Sequence, residues 1–261
     1  MFPPTLSSRQ AARAAPHPEA ERHWRGGVEH ARVGRWKEAE KAHARAVRLS
    51  PKEPLYWVNL GQARRRLGDL DGAAAAAEEA LRVDPDYWVA AQLRLATRLE
   101  RHRYAEALED AVRLTSQPNS TYQQWSDHGL ALYHTGRFRE AASALLQALI
   151  RKPDHFEAYV MLCNVFDRIK LHAEAVECLR TGLALKGDWG AGLGGVLFHS
   201  LFACDWSRLD ADLEALRVRL ERPGPHDFGP FMFLSFGADA ARQLTVFRDH
   251  ASNQFGAIAP M

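Results

Sequence analysis

The chain has 261 residues, 46% hydrophobic and 25% charged, which suits one large or two small folded units and excludes a disordered chain. Its 34 basic and 32 acidic side chains leave a net charge of +2, so no clustered basic face is provided for nucleic acid. No run of about 18 apolar residues offers a membrane span, and the first 19 residues lack the apolar core of a secretory signal, so a cytoplasmic location is expected.

Residues 1–19 are rich in Pro, Ser and Ala and read as a flexible tail. From residue 20 one pattern recurs: GRWKEAEKAHARAVRLSP at 34–51, GDLDGAAAAAEEALRVDP at 68–85 and GRFREAASALLQALIRKP at 136–153. Ala39, Ala73, Ala107, Ala141 and Ala175 stand 34 residues apart. Gly34, Gly68 and Gly136 keep that register, as do Pro51, Pro85 and Pro153, and Trp57 and Trp125. The period divides the chain into five copies, 20–53, 54–87, 88–121, 122–155 and 156–189. Small residues such as Gly61 and Ala73 let two antiparallel helices approach. The glycines suit the turn between them, and the prolines end the second helix. One helix pair cannot bury its apolar seam alone, so neighbouring pairs must stack.

The period fades near 189. Residues 193–203, LGGVLFHSLFA, predict one more buried helix. Ser207 and Asp210 fit a helix-start capping box. Trp206, Leu209, Leu213, Leu216 and Leu220 then mark an apolar stripe at steps of three and four. A break at Pro223-Gly224-Pro225 leads into FGPFMFLSF, and a last helix is predicted over roughly 238–252. The glycines at 190, 192, 194 and 195 follow a helical pattern rather than a strand, so they read as a joint between helices and not as a dinucleotide loop. Cys163, Cys178 and Cys204 have neither disulfide nor zinc spacing. His102, His134, His172 and His199 show no ligand spacing and are expected at turn, surface or core positions. Neither a metal nor a cofactor is expected, and no catalytic residue is assigned.

A 34-residue period with Trp57, Leu60, Gly61, Gly68, Ala73, Ala80 and Pro85 at set offsets resembles the tetratricopeptide repeat. The resemblance implies an all-α fold: a right-handed superhelix of about five helix–turn–helix repeats, extended by helices over 190–261. It also implies a concave groove, lined by the first helix of each pair, that takes a protein or an extended peptide. The groove offsets give Trp24, Arg25 and Val28, then Val58, Asn59, Gln62, Arg65 and Arg66. The third copy contributes Gln92, Leu93 and Leu99, the fourth Ser126, Asp127, Tyr133 and His134. The fifth contributes Val160, Met161, Asn164, Asp167 and Arg168. The lysines with which chaperone-binding members of the family clamp a terminal carboxylate are missing from the matching offsets.

The block after the repeats carries a second resemblance. Cys204-Asp205-Trp206, Leu209, Leu216, Pro230, Phe231, Gln243 and Leu244 are similar to the junction that joins repeats to the catalytic half in O-linked N-acetylglucosamine transferases, the SPINDLY-like proteins included. This implies a substrate-selecting arm for an enzyme that moves N-acetylglucosamine from its UDP conjugate to Ser or Thr. The catalytic domain would be supplied in cis or trans. Trp206, Phe228, Phe231, Phe233 and Phe236 would then form an interdomain surface. A stand-alone, non-catalytic adaptor is the alternative.

Overall fold

The computed structural model of the chain describes residues 17–221, together with Leu244 and Arg248. All regular structure among the described residues is helical. The tail before residue 17, the aromatic segment with Phe228, Phe231, Phe233 and Phe236, and most of the helix expected over 238–252 lie outside them. Leu244 and Arg248 are helical.

The chain divides into two compact units. The first holds α1 (Pro18–Arg32), α2 (Trp36–Leu49), α3 (Pro54–Arg66), α4 (Leu70–Val83), α5 (Trp88–Glu100) and α6 (Tyr104–Thr115). The second holds α7 (Tyr122–His134), α8 (Phe138–Arg151), α9 (Phe156–Arg168), α10 (His172–Leu185), α11 (Gly190–Ala203) and α12 (Leu209–Glu221). In each unit, helices consecutive in the chain pack on one another, and first helices touch first helices, α1 with α3, α3 with α5, and α7 with α9.

The 34-residue step is carried by buried small residues. Ala39, Ala73, Ala107, Ala141 and Ala175 are each 0% exposed. Trp57 Nε1 donates to the Pro51 carbonyl at 2.8 Å, and Tyr159, at the matching place three copies on, donates its hydroxyl to Pro153 at 3.1 Å. The aromatic position thus ties the second and fifth pairs to the loops before them.

The turn inside each pair is a Schellman motif, in which a left-handed residue closes the first helix. The left-handed residues are Gly34, Gly68, His102, Gly136, Lys170 and Cys204, with φ of 76, 83, 57, 78, 62 and 53°. After each, the next amide reaches back five residues: Arg35 to His30, Asp69 to Arg64, Arg103 to Arg98, Arg137 to Leu132, Leu171 to Phe166 and Asp205 to Ser200. Six such turns fall at one spacing, so the backbone step runs on past 189, where the sequence period fades. First helices start at 54, 88, 122, 156 and 190, so α11 is on step, while its apolar and glycine-rich sequence has lost the signature.

The second half of that sixth pair departs. Steps from α2, α4, α6, α8 and α10 would start its second helix at 206, whereas α12 begins at Leu209. The expected capping box is absent because Ser207 instead gives both its amide (3.0 Å) and its hydroxyl (2.6 Å) to the Asp205 carboxylate. Leu216 is buried, whereas Trp206, at the head of the expected stripe, is 54% exposed. A bidentate pair between Arg180 of α10 and Asp212 at 2.9 and 3.2 Å anchors α12.

Candidate protein-binding faces

In the first unit, Asn59, Gln62 and Arg66 follow one another along one side of α3, at i, i+3 and i+7. Gln62 and Arg66 are exposed and Asn59 is half-buried. Asn59 donates one amide hydrogen to the Leu55 carbonyl at 2.8 Å, which leaves its oxygen and second hydrogen for a ligand. The Arg66 guanidinium lies 5.6 Å above the Trp36 ring of α2. Stacked in this way, a long cation loses less freedom on binding, and the contact adds about 0.5–1 kcal/mol at an exposed site.

Other residues expected in the groove have structural work. Arg65 bridges α3 to α5 through Glu100 at 2.5 Å. Trp24 stacks on Tyr56 at 5.9 Å and packs on the cluster of Ala20, Ala46, Val47, Tyr56 and Leu60. Gln92 is half-buried on α5. Val58, Leu93 and Leu99 are buried, contrary to the expectation that they line a groove. Leu93 fills the notch left by Gly61, where an added Cβ would meet its Cδ2 at 2.6 Å. Val58 and Leu99 lie on helices that touch another first helix, and packing rather than solvent takes those flanks.

In the second unit, Asn164 and Arg168 are exposed on α9. The Arg168 guanidinium sits 5.1 Å above Phe138, and Tyr133 meets the same ring edge-on at 5.6 Å. Asp127, half-buried, accepts from Gln123 Nε2 at 3.0 Å. Ser126 is buried with its Oγ 3.3 Å from His155 Nε2, so it too is not on an open face. Burial pushes the His155 imidazole below its ordinary range.

Gln62 with Arg66 and Asn164 with Arg168 stand at matching places, three copies apart. Trp36 and Phe138, the rings under the two guanidiniums, match in the same way. The arrangement of an amide, three residues and a guanidinium held on a ring therefore occurs once in each unit. Sequence reading had all four polar residues but not the rings, since nothing in the period ties residue 36 to residue 66.

A tetratricopeptide-repeat family model matches residues 25–88 and 126–188. These two stretches carry tetratricopeptide repeats. Several solved structures share the fold. PilW, a type IV pilus biogenesis factor, is 16% identical over 77% of this chain and 94% of its own, with a TM-score of 0.66. MamA from Desulfovibrio magneticus RS-1, residues 41 to the end, is 20% identical over 66% of this chain and 97% of its own, at 0.63. YrrB, described as a repeat protein with an unusual peptide-binding site, is 12% identical over 80% of this chain and 99% of its own, at 0.61. No curated protein matches the sequence. No helix among the described residues is long and apolar enough to cross a membrane.

The corner after the fifth repeat has its own explanation within the repeat geometry. Cys204 is the sixth left-handed residue, and Asp205 supplies the amide that closes the turn. Of the expected interdomain surface, Trp206 is the described member and is exposed. Of the four histidines expected at turn, surface or core positions, two meet: His172 and His199 face each other with Nδ1 atoms 3.1 Å apart.

Proposed function

We propose that this chain binds a protein partner, holding an extended segment along the polar sides of its first helices. The observation that carries the reading is the amide–guanidinium pair repeated in each unit, Gln62 with Arg66 and Asn164 with Arg168. Amides donate and accept, so they match the backbone of an extended peptide, and the guanidinium suits carboxylate side chains along it. Peptides selected from a displayed random library on the full chain test the proposal. Gln62→Ala with Arg66→Ala is expected to weaken such a peptide about tenfold or more, as loss of a charge-assisted bond does, with the melting temperature unchanged. Equal affinity of variant and parent would refute the assignment of this face.

A second reading, the substrate-selecting arm of a protein O-GlcNAc transferase, is favoured by one observation. Phe202, at the end of α11, and Trp206, in the corner after it, expose 60% and 54% of their surface, and a following domain would cover such apolar surface. The test is transfer of labelled N-acetylglucosamine from its UDP conjugate by complexes purified from the native source. Absence of label on Ser or Thr leaves a stand-alone adaptor.

A further inference from the structure

His172 opens α10, and His199 lies late in α11. Their rings stack at 5.3 Å between centroids, 28° from parallel. Asp167, in the last turn of α9, brings a carboxylate oxygen within 4.8 Å of a ring nitrogen of each. Three successive helices thus converge one acid and two imidazoles on one point. The two Nδ1 atoms, 3.1 Å apart, can share one proton or turn both lone pairs to a cation, and the nearby carboxylate offers such a cation a third ligand.

The surroundings fit a metal as well. His199 Nε2 is 3.7 Å from Cys163 Sγ. With its proton on Nε2, directed at the sulfur, the ring turns its Nδ1 lone pair toward His172. Metal-bound imidazoles commonly use their second nitrogen in this way. Phe202 stacks on His172 at 5.0 Å, and Phe198 meets His199 edge-on at 5.1 Å, so both ring planes are held by packing. A tetrahedral zinc ion with bonds of about 2.0–2.1 Å keeps two nitrogens about 3.3 Å apart, so the imidazoles need open by only a few tenths of an ångström. Asp167 is half-buried.

We propose that Asp167, His172 and His199 form a site for a zinc-class divalent cation, with a fourth position left to water or to a group of a bound partner. Two imidazoles select borderline first-row ions over magnesium and calcium, which prefer oxygen. Because the ligands come from α9, α10 and α11, the ion would fasten the end of the second unit, and binding to the folded state raises its melting temperature.

The test uses the full chain, stripped with a chelator and dialysed against zinc chloride, with bound metal read by mass spectrometry and unfolding by circular dichroism. One zinc per chain and a raised melting temperature are expected, with magnesium producing neither. His172→Ala should lower zinc affinity at least about tenfold, and Asp167→Asn, which preserves shape, should weaken it as well. Should His172→Ala fail to fold, Asp167→Asn decides. Failure to retain zinc, or zinc retained with undiminished affinity by the folded variants, overturns the proposal, the second result placing the ion on other histidines.

Discussion

In the second helix pair, an added Cβ at Gly61 would meet the Ala76 methyl at 3.2 Å. In the third pair those two positions are Leu95 and Asp110, both almost fully buried. The backbone is the same, yet a contact between two small groups has become a leucine beside a carboxylate. Other exchanges make this tolerable. Arg94, standing where the second pair has Leu60, grips both Asp110 oxygens at 2.6–3.1 Å. Arg98, standing where the second pair has Arg64, adds a bond of 2.8 Å. Arg98 also keeps the older duty of its position, since it reaches the Glu106 carbonyl as Arg64 reaches that of Gly72. A buried charge is costly unless paired and hydrogen-bonded, and here two guanidiniums on one helix supply both.

The largest effect comes from breaking that network. Asp110→Ala leaves two cations without their acceptor, and about 3 kcal/mol of stability should be lost. Denaturant unfolding of the single variant measures this. The double variant Arg94→Leu with Asp110→Ala, which rebuilds the leucine and alanine of the second pair, should recover at least half. A single variant as stable as the parent would show the network to be ornamental.

The first pair extends the comparison to a titrating group. His43 occupies the place of Ala77 in the second pair and Ala111 in the third, is 1% exposed, and has no hydrogen-bond partner at Nδ1. Burial pushes its pKa from 6.5 down to about 4. Since the folded value lies below the unfolded one, the unfolded chain binds more protons between them. Stability is therefore full above pH 6.5 and lost as pH falls toward 4, by about 3 kcal/mol at most. Melting temperature against pH should show this loss in the parent, and His43→Leu, which copies Leu145 of the fourth pair, should make the profile shallower over that window. An equally steep profile in the variant would assign the acid sensitivity elsewhere.

These cases show what a repeat makes legible. The alanines at the 34-residue step, the turn glycines and the closing prolines could be read because each satisfies a local demand that recurs. Compensated exchanges could not. Asp110 looks like a surface residue until Arg94 and Arg98 are seen around it, and Leu93 looks available for a groove until Gly61 opens a notch for it. The pair His172 and His199 is invisible for the same reason. The two lie 27 residues apart, on helices whose contact sets their distance, and no spacing rule encodes that contact. The sixth pair is hard to read because the apolar, glycine-rich sequence of α11 has lost the repeat's signature, while the backbone bonds that define the turn at Cys204 are unchanged.

The smallest effect sharpens the comparison at the turns themselves. Gly68 and His102 hold the same left-handed conformation, at φ of 83 and 57°. For a residue with a Cβ this region costs about 1–2 kcal/mol relative to the right-handed one. Glycine avoids that strain but gives up about 0.5–1 kcal/mol of extra freedom on folding. His102 offsets part of its strain, because its Nδ1 lies 2.7 Å from the Tyr104 hydroxyl. His102→Gly should therefore stabilise the first unit by less than about 1 kcal/mol, whereas Gly68→Ala, which gains strain and no partner, should destabilise it by about 1 kcal/mol. Calorimetry on the two variants reads both signs. If His102→Gly instead destabilises, the hydrogen bond to Tyr104 outweighs the backbone strain, and the third turn is held by its side chain as its core is held by Asp110.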